Sequence, residues 1–209
     1  MKRNPSQLRA IAHLSGPMMV LAGPGSGKTS VIVERTAYMT GEGKIPGSSV
    51  LVVTFSRSAA REMKERFLKF TRQVSTDVTF GTFHGVFYGI LKHAYGLGAG
   101  NILSEEEKYA ILKEMTLEYG QELAQEGDFQ EDVAKEISVV KGNRIALDHY
   151  YSSCCPDDVF RQIYTGYQKT LRERRKLDFD DMLAMCYELF KERKDILQAW
   201  QRKYKYILI

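Results

Sequence analysis

Eight consecutive residues near the N-terminus carry the clearest chemistry in this sequence. Residues 22–29 read Ala-Gly-Pro-Gly-Ser-Gly-Lys-Thr, which fits the phosphate-binding loop G-x-x-x-x-G-K-[ST] with Ala22 in place of the first glycine. Glycines let backbone N–H groups point inward around phosphate oxygens, and a following helix directs its positive end at the same place. We expect Lys28 to neutralise the β- and γ-phosphates and the Thr29 hydroxyl to hold Mg²⁺.

This loop predicts a nucleoside triphosphate but not the use made of its energy, because GTPases, kinases, transporters and motors share it. The alternative is a glycine-rich turn that happens to precede a lysine. The flanking patterns disfavour that alternative. Residues 18–21 form an apolar run typical of a strand, and Val31, Ile32 and Tyr38 follow the loop at helical spacing.

Two further strand patterns lie at residues 50–55 and 78–80, with a helical pattern between them. Strands that alternate with helices of this length predict right-handed βαβ units and a parallel sheet covered on both faces. The sequence therefore predicts an α/β fold of the P-loop NTPase class.

The pattern changes after about residue 100, where strand signals disappear. Ser104 with Glu107 three residues later predicts a capping box for a helix over residues 105–119, and further helical patterns follow. Residues 206–209 then form an apolar run typical of a buried parallel strand.

We therefore expect three parts. Residues 1–100 form the first part of a nucleotide-binding lobe, residues 101–198 form an all-helical insertion, and residues 199–209 return to the lobe.

Charge is distributed unevenly along the chain. Residues 101–140 hold eleven carboxylates against three lysines, a net charge of −8, whereas the whole chain carries +4. The remainder is therefore strongly basic at +12, which suggests a lobe that meets phosphates and an acidic segment that faces away from them.

Composition places the chain among globular proteins, with 44% hydrophobic and 27% charged residues and no membrane span. The N-terminus has no secretory signal pattern, so we expect a cytoplasmic location. The three cysteines, Cys154, Cys155 and Cys186, lack zinc-site spacing and are expected to be reduced thiols.

Five motifs, taken in order and spacing, resemble the UvrD/Rep/PcrA type of superfamily 1 DNA helicase. They are Asn4-Pro5-Ser6-Gln7, the loop at 22–29, Val53-Thr54-Phe55, Gly81-Thr82-Phe83-His84 and Leu177-Asp178-Phe179-Asp180-Asp181-Met182. The resemblance covers nearly the whole chain. It implies a RecA-like parallel sheet with an inserted helical subdomain, and ATP with Mg²⁺ as cofactors.

The resemblance implies that Gln7 reads the adenine base, since its amide offers both a donor and an acceptor. Asn4 and Gln7 also fit a capping box at the start of a helix, and the two roles are compatible. Ser30 stands where the family commonly has an arginine, and Arg35 is a nearby basic residue that could substitute for it. The implied nucleotide contacts are Gln7, Ala22, Gly23, Pro24, Gly25, Ser26, Gly27, Lys28, Thr29 and Ser30.

The resemblance also implies single-stranded DNA at the carboxyl ends of the second and third predicted strands, an edge where α/β sheets commonly bind ligands. The implied contacts are Thr54, Phe55, Arg57, Thr82, Phe83 and His84. An aromatic such as Phe55 can stack on any base, while hydroxyls, His84 and Arg57 can meet the DNA backbone. The alternative is that Phe55 and Phe83 are ordinary core aromatics.

By resemblance the parent protein is an ATP-dependent 3′-to-5′ DNA helicase or translocase, and DNA repair is an expected role. Its expected partners are single-stranded DNA, junctions of single- and double-stranded DNA, and a second RecA-like lobe. The family's Asp-Glu-x-x-Asp motif would follow Ile209. We therefore expect an N-terminal fragment, cut just before the end of its Walker B strand, that binds ATP–Mg²⁺ weakly and neither hydrolyses ATP nor unwinds DNA.

Three alternatives remain at this point. The chain is compatible with the helicase part of an AddA-like or RecB-like helicase–nuclease, and with a non-hydrolysing, regulatory ATP-binding protein. An RNA helicase of the other superfamily is the third alternative, although its early motifs would not include the run at residues 81–84.

Overall fold

The computed structural model describes residues 3–117 and 128–209, which form nine α-helices and three β-strands. The strands are β1 (Val50–Thr54), β2 (Thr79–Thr82) and β3 (Tyr206–Leu208). The helices are α1 (Pro5–Ala12), α2 (Lys28–Thr40), α3 (Arg57–Thr71), α4 (Phe83–Tyr95), α5 (Glu105–Leu117), α6 (Phe129–Gly142), α7 (Asp157–Glu173), α8 (Phe179–Glu192) and α9 (Lys194–Lys203). None of the helices in these ranges is long and apolar enough to cross a membrane.

The chain divides into two compact units. The first, called the sheet unit here, comprises Met1–Val86 and Lys194–Ile209, and the second, called the helical unit, comprises Phe87–Arg193. The sequence-based boundaries at residues 100 and 198 lie somewhat later in the chain than these divisions.

The sheet unit contains a three-stranded parallel sheet in the order β2-β1-β3. Val50 pairs with Tyr206 on one side of β1, and Thr54 pairs with Thr82 on the other. The first four residues of β1 are buried, as expected for a central parallel strand covered on both faces. The α/β fold predicted from the sequence is confirmed.

The predicted strand at residues 18–21 is wrong. This segment is not hydrogen-bonded into the sheet, and its four side chains are exposed, with Met19 at 83% and Leu21 at 88%. An apolar run becomes a strand only where a neighbouring strand supplies partners for its N–H and C=O groups. Among the described residues, no strand pairs with residues 18–21.

The helical unit has its own core, built from α5, α6 and α7, and α8 packs against α6. Its largest fully buried side chains include Phe160 and Tyr167 of α7. The capping box predicted at the start of α5 is confirmed, because Ser104 N donates to Glu107 Oε2 at 3.0 Å and Glu107 N donates to Ser104 Oγ at 3.2 Å. The predicted end of this helix, at residue 119, falls outside the described residues.

The three cysteines are free thiols, as predicted. Burial raises the pKa of Cys154 to about 12 and that of Cys186 to about 11. Both therefore remain protonated at neutral pH, and a protonated thiol is a poor nucleophile and metal ligand.

Candidate nucleotide and nucleic-acid site

The predicted phosphate loop forms the turn that leads into α2. Gly25 and Gly27 have φ angles of 72° and 82°, in the left-handed region where glycine costs least. Ser26 N donates to Gly23 O at 3.3 Å and closes the turn. Gly27 is the N-cap of α2, so the loop ends where the free N–H groups of the helix begin.

Lys28 sits at the mouth of this loop. Its Nζ donates to the backbone oxygens of Ala22 at 3.1 Å and Gly23 at 2.9 Å, and the side chain is exposed. The first turn of α2 contains no acidic residue that would cancel the positive end of the helix. Thr29 lies half-buried in the same turn.

The space around the loop suits a phosphate chain. A Cβ atom built on Gly23 or Gly25 would meet no heavy atom within 4 Å, so the space beside these two glycines is open. An ammonium group, a helix N-terminus and unobstructed backbone N–H groups form a donor set that matches phosphate oxygens. These residues fit ATP, and the Thr29 hydroxyl is the protein ligand they offer to Mg²⁺.

Gln7 connects α1 to the loop. The capping box predicted for α1 is confirmed, since Gln7 N donates to Asn4 Oδ1 at 2.8 Å and Asn4 N donates to Gln7 Oε1 at 3.0 Å. Gln7 Nε2 also donates to Ser26 O at 3.0 Å. The amide predicted to read adenine therefore links the N-cap of α1, through Oε1, to the loop, through Nε2.

Two arginines beside the loop, Arg35 and Arg3, bind different partners. Arg35 Nη1 donates to Ala10 O at 2.6 Å, and burial lowers its pKa below the usual arginine value. Arg35 thus fastens α2 to the end of α1. Arg3 pairs with Glu34 of α2, a contact over 31 positions that the sequence pattern did not reveal.

A cavity of about 740 Å³ lies in the sheet unit next to the loop. Lys28, Gln7 and Arg35 contribute to its polar wall, while residues 18 and 20–21 and residues 207–209 contribute to its apolar wall. The loop therefore borders a volume in the range of small-molecule sites.

The structure brings most of the predicted DNA residues together at one edge of the sheet. Thr54 ends β1 and Thr82 ends β2, and the two are paired neighbours. The rings of Phe55 and Phe83 follow these residues with centroids 5.5 Å apart. Phe55 is 87% exposed, so its interpretation as a core aromatic is wrong, whereas Phe83 and His84 are half-buried.

The Thr82 side chain caps a helix at this edge of the sheet. This side chain is buried, and Gly85 N donates to Thr82 Oγ1 at 3.1 Å, which caps the start of α4. A contact between this hydroxyl and DNA stays a prediction.

Arg57 is the first residue of α3, directly after the N-cap Ser56, whose Oγ accepts from Ala59 N at 3.1 Å. The helical spacing of Arg57, Arg61 and Lys64 puts them on one face of α3, and all three side chains are exposed. Within the described ranges no carboxylate pairs with any of the three. This unpaired basic stripe begins two residues after Phe55.

Comparisons with known proteins give the family of this chain. Residues 3–209 match the family described as UvrD/REP helicase N-terminal domain. The chain is 36% identical, over 99% of its length, to a protein of Bacillus subtilis named putative ATP-dependent DNA helicase YjcD. It is 32% identical, over 99%, to a probable DNA helicase II homolog of Mycoplasma capricolum, and 31% identical, over 98%, to ATP-dependent DNA helicase PcrA of Bacillus subtilis.

The chain is much shorter than these relatives. It covers 28% of the YjcD protein, 30% of the Mycoplasma protein and 28% of PcrA. The similarity therefore concerns the part of each relative that the N-terminal family domain describes.

Proposed function

Because the chain belongs to the UvrD/REP helicase family, matching its N-terminal domain over residues 3–209, we propose that it binds ATP–Mg²⁺ and single-stranded DNA within a 3′-to-5′ DNA helicase. The phosphate loop carries this proposal, because it presents Lys28, open glycines and the start of α2 on one side. The names of the relatives, ATP-dependent DNA helicases, support ATP as the nucleotide.

In the proposed complex, Lys28 exchanges the carbonyl oxygens of Ala22 and Gly23 for β- and γ-phosphate oxygens. Thr29 is a ligand of Mg²⁺, and Gln7 presents its amide to the adenine. Glycines 23, 25 and 27 let the backbone approach the phosphates closely, and Ala22, Pro24, Ser26 and Ser30 complete the contact surface. Hydrolysis of bound ATP supplies the energy for movement.

Single-stranded DNA is proposed to lie across the edge formed by Thr54, Phe55, Thr82, Phe83 and His84. Phe55 offers an exposed ring on which any base can stack, so the grip does not depend on sequence. The basic stripe of Arg57, Arg61 and Lys64 supplies cations for the phosphates.

Unwinding is proposed for a polypeptide of the relatives' length that contains this chain. The chain covers 28–30% of those relatives. A second RecA-like lobe, junctions of single- and double-stranded DNA, a cytoplasmic location and a role in DNA repair belong to the same proposal.

The nucleotide half of the proposal is tested by Lys28→Ala, with ATP affinity measured by calorimetry in the presence of Mg²⁺. We expect a loss of about tenfold or more, since a charged group's hydrogen bonds contribute about 1.5–3 kcal/mol each. Lys191→Ala, an exposed lysine of the helical unit, is the matched control and should bind ATP as the unmodified chain does. Equal affinity of the Lys28 variant and the control would remove the loop from the proposed site.

The DNA half is tested by Phe55→Ala, with binding to a fluorescent oligothymidine followed by anisotropy. Removing the stacking ring should weaken binding about 5- to 100-fold, because base–aromatic stacking contributes about 1–3 kcal/mol per base. Phe70, also exposed but near the other end of α3, provides the control Phe70→Ala. If both variants bind equally well, the edge at Phe55 is not the DNA site.

A further inference from the structure

We propose that Arg3, held in place by Glu34, contacts the base end of the bound nucleotide. In this role it replaces the arginine that the family commonly carries where this chain has Ser30. The inference rests on the proposed ATP site and adds to it a residue that none of the five motifs includes.

The guanidinium of Arg3 is fixed by a two-pronged ion pair. Arg3 Nε lies 3.0 Å from Glu34 Oε1 and 2.9 Å from Oε2, and Nη2 also donates to Oε1. Both side chains are 19% exposed. Paired hydrogen bonds of this kind fix the plane of the guanidinium as well as its position. The group is therefore oriented before any ligand binds.

The free end of this guanidinium points at the phosphate loop. A Cβ atom built on Gly27 would lie 3.7 Å from Arg3 Nη1 and 3.6 Å from Gln7 Nε2. Arg3 and the amide proposed to read adenine thus lie side by side against the start of α2. Nη1 has no hydrogen-bond partner among the described residues, so its N–H groups remain available to a ligand.

The geometry of α2 explains why Arg3 can contact the base in place of a side chain at position 30. Ser30 and Glu34 are four residues apart and share one face of α2. Side chains on a helix lean towards its N-terminus, so the Glu34 carboxylate leans towards Ser30. Arg3 binds Glu34 and approaches Gly27, and Ser30 lies between these two positions along α2.

The charge of the pair favours the base over the phosphates. Glu34 neutralises Arg3, which makes the pair a weak attractant for phosphate oxygens. The carboxylate engages Nε and Nη2 and leaves Nη1 without a hydrogen-bond partner among the described residues. A guanidinium can donate to ring nitrogens of a base and can also stack on aromatic rings. Lys28, by contrast, lies on the phosphate side, against Ala22 and Gly23.

Arg35 does not fill this role. Its Nη1 is engaged with the backbone oxygen of Ala10, and the side chain is partly buried. It fastens α1 to α2 and leaves Arg3 as the oriented arginine next to Gly27.

The test compares ATP with inorganic triphosphate, both with Mg²⁺, on the full 209-residue chain. Arg3→Ala should weaken ATP binding about three- to tenfold, the range of a cation stacked on a ring, and leave triphosphate binding unchanged. Arg3→Lys should weaken ATP binding similarly, because an ammonium lacks the planar face. Ser30→Arg added to Arg3→Ala should restore ATP binding. Arg9→Ala, an exposed arginine on α1 that contacts Ser6, should bind both ligands normally.

The outcomes separate this inference from the proposed function. Equal losses for ATP and triphosphate in Arg3→Ala, or no loss for either, overturn the role of Arg3 while Lys28→Ala still reports on the site. Failure of Ser30→Arg to restore binding overturns the exchange between positions 3 and 30. Absence of ATP binding by the unmodified chain overturns both proposals.

Discussion

At the level of single residues, the conformation of the phosphate loop could be predicted from the sequence because its signal is local. The glycines, Lys28 and Thr29 are contiguous, and the backbone angles at Gly25 and Gly27 are those that only glycine adopts cheaply. The pair of Arg3 and Glu34 could not be predicted, because its partners are 31 positions apart and either residue alone looks like a solvated charge.

The glycines of the loop differ in what they contribute to stability. Gly27→Ala should lower the free energy of unfolding of the sheet unit by about 1–2 kcal/mol, because its φ of 82° is strained for alanine. Gly23 has no positive φ and open space around it, so Gly23→Ala should change stability by less than about 0.5 kcal/mol. Urea denaturation followed by circular dichroism measures both values. A Gly27 variant as stable as the Gly23 variant would show that the loop relaxes its backbone at no cost.

At the level of helices and strands, prediction succeeded where the signal was short-range. The capping boxes of α1 and α5 are confirmed because each depends on residues three positions apart. The strand at residues 18–21 failed because an apolar run does not specify its neighbour. The start of α8 was predicted only in part. Its motif was recognised in the sequence, but the residue of α6 that pairs with it inside the protein was not.

That partner is Lys141, which holds the N-terminus of α8 to α6. Its Nζ lies 2.5 Å from Asp178 Oδ2 and 2.9 Å from Asp181 Oδ1, and Tyr167 OH donates to Asp178 Oδ2 at 3.0 Å. Asp178 also accepts from Asp181 N at 2.8 Å, which caps α8. Burial opposes ionisation of Asp178, but Lys141 and the hydrogen bonds outweigh it, so its pKa lies below the usual aspartate value.

Removing this cation should destabilise the helical unit strongly. Lys141→Met leaves a buried, uncompensated carboxylate, a change that costs about 3–5 kcal/mol. Lys135→Met on the same helix breaks only an exposed pair with Asp132, and solvent screens that pair, so stability should change far less. Urea denaturation at neutral pH compares the two variants, and equal stabilities would mean that the buried pair contributes no more than the exposed one.

The free energy of unfolding should also depend on pH, and the direction follows from the pKa shifts of Asp178 and Asp181. A carboxyl with a lowered folded-state pKa stabilises the fold above its unfolded pKa of about 4, and this contribution disappears as the pH falls through the folded value. Asp181 works in the opposite sense, since burial and Asp178 raise its pKa. In Lys141→Met the pKa of Asp178 should rise, so the stability difference from the unmodified chain should begin to narrow as the pH falls through that raised value. It should narrow further below about pH 4, where the unmodified chain loses the contribution of its ionised Asp178.

Considered as a whole, the molecule separates its charge by unit. The sheet unit has sixteen lysines and arginines against six carboxylates, a net charge of +10, and the helical unit carries −6. The sequence revealed this asymmetry as a basic lobe and an acidic segment, because charge counts need no tertiary structure. It did not reveal that an exposed Phe55 precedes a basic stripe on α3 that has no carboxylate partner in the described ranges.

The stripe predicts how DNA affinity depends on salt. For a single strand, the slope of log affinity against log salt should fall by about 0.7 for each cation that no longer meets a phosphate. Arg57→Ala combined with Arg61→Ala should therefore weaken binding to oligothymidine at low salt and reduce the slope by about 0.7–1.4. Lys169→Ala combined with Lys191→Ala removes the same charge from the helical unit and should leave the slope unchanged. Equal slopes for both double variants, measured by anisotropy over a series of KCl concentrations, would mean that net charge attracts the DNA and that the stripe on α3 does not contact it.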